Sequence, residues 1–173
     1  MTTFNSQDAK DANDAMGQDP LAEPAQAMKE IAIDVDEFSI QASLVPEHQR
    51  MDFLPRHFGR RHLLVGEAHV YGWMDRLCTT QRGGYWEFYE LSNGGFYLAP
   101  RPLPEQAPHL HLRVDGNGFD GDMSVDAAGI VATLFALNYM MFGGASDLTQ
   151  AYEQLLDYAA QHPESALIDA AID

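Results

Sequence analysis

The sequence contains a single cysteine, Cys78, among its 173 residues. One thiol cannot form an intramolecular disulfide, and it cannot supply the set of thiolates that a structural zinc site requires. Cys78 follows Leu77 in an apolar pattern of helical period. We therefore predict that it is a buried structural thiol.

Positive charge is also scarce. Ten Lys and Arg residues stand against 26 Asp and Glu residues, which gives a formal net charge of −16. No lysine follows Lys29, and Arg113 is the only Lys or Arg in residues 102–173. Because binding to the phosphate backbone requires a basic surface, we expect no direct binding to DNA.

The common catalytic motifs are missing. The sequence has no G-x-S-x-G, no phosphate-binding loop and no H-E-x-x-H. The main candidate for metal chemistry is His109-x-His111, which puts two imidazoles on the same face of a strand, with Asp122 as a third possible ligand. A metal-assisted enzyme that uses these three side chains is the alternative hypothesis. The main interpretation is a non-enzymatic protein without a cofactor or a metal.

Composition divides the chain into two parts. Residues 1–40 carry nine acids and two lysines, with few large apolar residues before Ile31, which is typical of a disordered acidic tail. Residues 41–173 are predicted to form one folded domain. Because the N-terminal residues show no apolar signal pattern, we expect a cytoplasmic protein.

The longest uncharged stretch runs from Ala127 to Ala145. Its 19 residues come close to the length of a membrane span. The acids Asp126 and Asp147 flank it, and no Lys or Arg lies near enough to anchor it at a membrane surface. We therefore expect a buried core helix and no membrane contact.

Two helical patterns precede the predicted strands. Pro46 favours the start of a short helix, and residues 61–79 predict a longer one. The expected apolar stripe of the longer helix consists of Leu64, Ala68, Tyr71, Met74 and Cys78.

The first of two predicted β-hairpins turns at Asn93-Gly94, a sequence typical of a type I′ turn. That turn pairs Leu91 with Phe96 and Tyr89 with Leu98, and these four residues form an apolar face. The opposite face mixes aromatic, charged and small side chains: Trp86, Phe88, Glu90, Tyr97 and Ala99.

The second hairpin turns at either Gly116-Asn117 or Asn117-Gly118. The latter turn places two aspartates opposite each other, which is destabilising. The former is preferred, because it pairs bases with acids: Arg113 with Asp120, and His111 with Asp122.

Three helices close the chain. Ser124 is a suitable cap for the first helix and Gly143-Gly144 ends it, while Ser146 and Pro163 favour the starts of the other two. This order predicts an α+β fold, with a small antiparallel β-meander of two hairpins packed with flanking α-helices in a single domain.

Three stretches carry a family resemblance. MDFLPRHFG (51–59), YWEFYELSNGGFYLAP (85–100) and GNGFDGDMSVDAAGIVATLFAL (116–137) resemble the ArdB/KlcA antirestriction proteins, which plasmids and other mobile elements carry. The similarity extends over about residues 42–173. It implies protection of incoming DNA from type I restriction, with a type I restriction-modification enzyme or an accessory host factor as the protein partner. It implies no catalytic residue.

A protein partner is expected to bind sheet surface that no helix covers. Aromatic side chains with a polar group are frequent where proteins meet. The candidate contact residues are Trp86, Glu90 and Tyr97 of the first hairpin and Arg113, Asp120 and Asp122 of the second. In the alternative arrangement, helices cover both faces of the first hairpin and its aromatic residues belong to the core.

Deletion of residues 1–38 is expected to change neither folding nor function. The segment offers few apolar side chains to a core, and it lies outside the resemblance. The melting temperature and the protection of unmodified phage DNA in cells should both stay close to the full-length values. A truncated protein that folds but no longer protects DNA would make the acidic segment a functional element.

Overall fold

The computed structural model describes residues 39–80, 84–101 and 109–173. Residues 1–38 of the acidic segment, which is predicted to be disordered, lie outside the described residues. Within the described ranges, helices are combined with short antiparallel strands, which confirms the α+β class.

Five strands and five α-helices make up the described part of the chain. In chain order they are β1 (Ala42–Leu44), α1 (Arg50–His57), α2 (Gly59–Leu77), β2 (Trp86–Leu91), β3 (Phe96–Pro100), β4 (His109–Val114), β5 (Phe119–Ser124), α3 (Val125–Phe142), α4 (Thr149–Gln161) and α5 (Ser165–Ile172). Short 3-10 turns at Glu47–Gln49 and Ser146–Leu148 precede α1 and α4.

The strands form two antiparallel sheets. β1, β2 and β3 lie side by side in that order, and β4 pairs with β5. β1, which the sequence pattern did not indicate, adds to β2 with Ala42 opposite Leu91 and Leu44 opposite Tyr89. Each sheet is therefore built on one hairpin, and the first has an extra edge strand.

The first hairpin turns through three residues and not two. The amide of Gly94 donates to the carbonyl of Leu91 at 2.9 Å, and the amide of Leu91 donates to the carbonyl of Gly95 at 2.8 Å. Gly94 has a φ of +92°, as expected for the left-handed residue that follows a type I turn. The predicted type I′ turn is therefore wrong.

A contact with α4 accounts for the longer turn. The side-chain nitrogen of Asn93 donates to the carbonyl of Gln154 at 2.8 Å. The side-chain oxygen of Asn93 accepts from the amide of Gly95 at 3.0 Å. Local preference favours the two-residue turn, but packing against α4 selects this one.

The longer turn shifts the pairing of β2 with β3 by one residue. Tyr89 lies opposite Tyr97, and Phe88 lies opposite Leu98, so the predicted pairs of Tyr89 with Leu98 and of Leu91 with Phe96 are wrong. One face of the hairpin consists of Trp86, Phe88, Glu90, Phe96 and Leu98. The opposite face consists of Glu87, Tyr89, Leu91, Tyr97 and Ala99.

Helices cover both faces of the three-stranded sheet. On one side, the ring of Phe53 in α1 lies 5.0 Å from the ring of Phe88 and 5.6 Å from that of Phe96. On the other side, Tyr97 stacks on Tyr158 of α4 at 5.8 Å. The aromatic residues of this hairpin therefore contribute to the core.

The second hairpin has the predicted register. Arg113 lies opposite Asp120 and His111 lies opposite Asp122, which confirms the pairing of bases with acids. The intervening apolar side chains of β4 are buried: Leu110, Leu112 and Val114. One side of this hairpin therefore packs on the core, and the other side is free to carry polar groups.

The buried side of α2 differs from the predicted stripe. Leu64 is 75% exposed, and Ala68 is also exposed. The ring of Phe58 lies so close to Gly66 that a Cβ atom there would overlap it, and this contact directs the Gly66 side of the helix inward. The buried residues of α2 are Gly66, Val70, Met74 and Leu77. Cys78 is buried, as predicted.

α3 is the central helix of the fold. Eleven of its 18 residues are buried. The Oγ of Ser124 accepts from the amide of Ala127 at 3.1 Å, which confirms the predicted cap, and the helix ends at Gly143 and Gly144. Its length and composition would suit a membrane span, but 61% of this stretch is buried inside the protein. This agrees with the prediction of a buried core helix.

α3 lies directly against the edge of β3. The amide of Leu98 donates to Oγ1 of Thr133 at 3.2 Å, and that hydroxyl donates to the carbonyl of Gly129 at 2.8 Å. A Cβ atom at Gly129 would lie 2.5 Å from Cβ of Ala99 and 2.6 Å from the carbonyl oxygen of Leu98. Glycine thus allows the helix to cover a strand edge that would otherwise be open to another chain.

We expect Gly129→Ala to destabilise the protein by about 1–3 kcal/mol, because the added methyl group must displace the backbone of β3. Gly72→Ala in α2 is the matched control. Nothing lies within 4 Å of a Cβ atom at Gly72, so alanine there should stabilise the protein by roughly 0.5–1 kcal/mol. Urea unfolding measures both effects. The close approach of α3 to β3 would be contradicted if the two substitutions shifted stability in the same direction.

Candidate functional site

The outer side of the β4–β5 hairpin is a polar surface that is open to solvent. Apolar and polar residues alternate along β4, so the polar side chains all point away from the core. We use the name hairpin face for the exposed side chains His109, His111, Arg113, Asp120 and Asp122. Three of the six predicted contact residues, Arg113, Asp120 and Asp122, lie together on this face.

His111 connects two carboxylates at the centre of the hairpin face. Its Nδ1 lies 2.8 Å from Asp122, and its Nε2 lies 3.0 Å from Asp120. The hydrogen bond to Asp122, supported by the charge of Asp120, raises the pKa of His111 above its ordinary value. Arg113 lies opposite Asp120, but it forms its ion pair with Asp115 at 3.3 Å. The face therefore holds charges of both signs at fixed positions.

The geometry does not favour the metal-assisted alternative. Both ring nitrogens of His111 are taken up by carboxylates, and His109 lies opposite Ser124 rather than Asp122. Across residues 39–80, 84–101 and 109–173, no group of three or more His, Cys, Asp or Glu side chains is arranged to hold a metal ion. The hairpin face offers hydrogen bonds and charge instead of a ready set of ligands.

Trp86 and Glu90 lie elsewhere, on the sheet face that α1 and α2 cover. The carboxylate of Glu90 accepts from Nε2 of His57 at 2.9 Å and also from Arg56. Burial lowers the pKa of His57, although Glu90 favours the protonated ring. Trp86 lies 4.4 Å from the ring of Tyr71 and forms a wall of a cleft of about 560 Å³. Both predicted contact residues are half-buried.

Tyr97 is buried on the opposite face, with 1% of its surface exposed. Its hydroxyl donates to Asp126 at 2.8 Å, and the second oxygen of Asp126 lies 3.2 Å from Nε2 of His162. The amide of Glu164 donates to Nδ1 of His162 at 3.0 Å, so the proton of the neutral ring is on Nε2 and is donated to Asp126. Burial, followed by the charge of Asp126, raises the pKa of Tyr97 strongly.

Sequence patterns did not reveal this buried network. The sequence marks Asp126 only as an acid that flanks the long uncharged stretch, and it indicates no role for His162. The two residues are 36 positions apart, and they meet because α4 packs against α3. Substitution of Tyr97 would therefore disturb the core and the position of α3, which makes it unsuitable for testing a surface contact.

Charge is distributed unevenly over the helices. α1 and α2 together carry five arginines and three acids, whereas residues 125–173 carry seven acids and no Lys or Arg. The hairpin face adjoins this acidic part, because the side chain of Asn117 donates to the carbonyls of Ala170 and Ala171 in α5, both at 3.1 Å. The hairpin face therefore lies next to α5, whose exposed acids are not offset by any Lys or Arg in residues 125–173.

We expect His111 to lose its proton at a higher pH than an unperturbed histidine. Because its pKa is raised in the folded state, its interaction with the carboxylates stabilises the protein fully below the unfolded-state pKa of about 6.5. That stabilisation is lost as the pH rises through the folded-state pKa. An NMR titration of the imidazole should show the midpoint of Asp122→Asn moving down towards the ordinary value. Asp115→Asn should leave it unchanged, and identical curves for Asp122→Asn and the unmodified protein would refute the pairing.

Comparison with known proteins places this architecture in a family. A family model described as antirestriction protein matches residues 79–173. Two Escherichia coli proteins named Antirestriction protein KlcA are 52% and 51% identical to the chain over 139 and 141 residues. Each match covers 78% of this chain, and the matches cover 95% and 94% of the respective relatives.

A solved structure of the KlcA and ArdB proteins is also similar. It has a TM-score of 0.70 and 51% identity, over 78% of this chain and 95% of that chain. The structure is described as showing a novel fold and antirestriction activity against Type I DNA restriction systems in vivo but not in vitro. The resemblance seen in the sequence is thus confirmed. The chain belongs to the family of antirestriction proteins.

Proposed function

We propose that this protein counteracts type I DNA restriction inside the cell, and that it acts by binding a protein. The partner is the type I restriction-modification enzyme or an accessory host factor. Membership of the antirestriction family supports the role. Since type I restriction acts on DNA that has entered the cell, the proposed location is the cytoplasm.

The activity described for the related KlcA and ArdB structure supports a partner supplied by the cell. That activity is found in vivo but not in vitro. A protein that competed directly with DNA for the restriction enzyme should also inhibit restriction in a mixture of purified enzyme and DNA. Activity that is found only in cells favours action through a cellular component, or at a cellular step, that the purified mixture lacks.

Charge supports a protein partner over DNA. The net charge is −16, and each contact to a phosphate would need a cation. Several of the arginines are already paired with acids: Arg56 with Glu90, Arg101 with Glu87, and Arg113 with Asp115. The remaining cations are far outnumbered by the acids, so the net charge opposes binding of a nucleic acid.

The observation that carries the proposal is the hairpin face. Its reverse side is buried in the core, which holds the two strands rigid, while its polar side chains are exposed. Charged groups that are fixed in advance lose little freedom on binding, and they select a partner through complementary charge. We propose a binding role for this face and not an enzymatic one, since its carboxylates hold His111 and not a reactive group.

Reversing single charges on the hairpin face should weaken antirestriction. Arg113→Glu and Asp122→Lys are each expected to lower protection by roughly tenfold, the effect of about 1.4 kcal/mol in binding. Protection is measured as the plating efficiency of unmodified phage on a host with a type I restriction system. The reason is that each substitution places a like charge against the partner.

The matched control is Asp75→Lys, which reverses an exposed acid on α2 and should leave protection unchanged. Circular dichroism verifies that all three variants fold. Full protection by both hairpin variants would exclude this face as the contact. Binding of duplex DNA by the unmodified protein at physiological salt would overturn the protein-partner proposal as a whole.

A further inference from the structure

A groove runs along the outer surface between α4 and α5. Its volume is about 390 Å³. Small and aliphatic side chains supply most of its lining: Leu156, Ala159, Ala160, Ala166, Ile168 and Ile172. Ala160 and Ala166 are exposed, whereas Ala159 and Ile168 are buried beneath them. The protein thus presents an apolar groove whose base belongs to its own core.

Acids flank this groove on both helices. Glu153 and Asp157 lie one turn apart on α4, and Asp169 and Asp173 lie one turn apart at the end of α5. All four are exposed, and residues 125–173 contain no Lys or Arg to offset them.

The position of these acids opposes helix stability. Like charges four residues apart on a helix repel each other. Asp169 and Asp173 also lie at the C-terminal end of α5, where the helix dipole favours cations, and no basic residue occupies its last turn. Binding of a cationic partner would offset both the repulsion between the acids and their unfavourable interaction with the helix dipole.

From these features, the geometry points to the groove between α4 and α5 as the docking site for a basic amphipathic helix of the partner protein. This inference rests on the proposed function, since the helix would belong to that partner. It adds the chemistry of the contact: an apolar stripe that enters the groove, with Lys or Arg on both sides of the stripe facing the acids of α4 and α5.

The dimensions of the groove suit a helix. Its lining on α5 extends from Ser165 to Ile172, which is about 10 Å at the helical rise of 1.5 Å per residue. Anchoring side chains at positions i, i+4 and i+7 of a bound helix span about the same length. An extended peptide would fit less well, because the walls are helices whose backbone groups are already bonded and cannot pair with a strand.

The test uses the full chain and a synthetic Leu/Lys peptide of 16 residues, with leucines at i, i+4 and i+7 and lysines beside them. Fluorescence anisotropy should show saturable binding that weakens as salt is raised, because the contact is partly electrostatic. A peptide of the same composition in scrambled order, and a Leu/Glu peptide, should each bind at least tenfold more weakly. Absence of binding, or equal binding of all three peptides, would overturn the inference.

Variants locate the contact. Ala160→Arg/Ala166→Arg fills the groove and repels a cation, and Ala160→Trp fills it without changing the charge. Each should weaken binding of the Leu/Lys peptide at least tenfold. Leu64→Arg/Ala68→Arg adds the same two charges at exposed positions of α2, away from the groove, and should weaken binding less than twofold. Equal losses in the groove and control variants would mean that net charge alone drives binding, and the inference would fail.

Measurements in cells separate this inference from the proposed function. If the unmodified protein protects phage DNA, the groove variants should lose protection and the control should retain it. Full protection by the groove variants would overturn the docking site alone. If the unmodified protein gives no protection, the proposed function fails. The peptide measurements still show whether the groove binds a basic amphipathic helix. A dimer of the unmodified protein that the groove variants convert to monomer would assign the groove to a second copy and overturn the inference.

Discussion

The close contact between α3 and β3 is the constraint on which the rest of the structure depends. Gly129 lets the helix approach until its backbone meets that of β3, and Thr133 bonds the strand amide of Leu98. A larger side chain in place of Gly129 would separate α3 from β3. Without the hydroxyl of Thr133, the amide of Leu98 at the edge of β3 would be left unpaired. Because α3 also contacts α2, α4, α5 and the second hairpin, its position determines where each of these elements packs.

This arrangement decides which surfaces can serve recognition. The first sheet is covered on both faces, so its aromatic residues contribute to the core, and the β4–β5 hairpin is left with one open polar side. α4 and α5 carry further acids and have an apolar groove between them. The arginines are concentrated on α1 and α2. The arginines and most of the C-terminal acids therefore lie on different helices, and the acidic helices suit a cationic protein better than a nucleic acid.

The two hairpins show how far sequence patterns can be trusted in this chain. The register of the second was predictable, because alternating apolar residues and the repulsion between opposed aspartates are both local properties. The first was not. Asn93-Gly94 favours a two-residue turn, but Asn93 is held by Gln154 of α4 and the loop contains three residues. The resulting shift of one residue separates Tyr97 from Trp86 and Glu90, so the predicted contact face does not exist as one surface.

The sequence by itself determined the α+β class, the second hairpin, the buried α3, and the grouping of Arg113, Asp120 and Asp122, because each depends on neighbours within one strand pair or one helix. It also carried the family resemblance. Only the tertiary structure decided the inward side of α2, the first hairpin's register, and the meeting of Asp126 with His162 across 36 positions. These features depend on which distant side chains compete for the same space and the same hydrogen bonds. No local periodicity encodes the outcome of that competition.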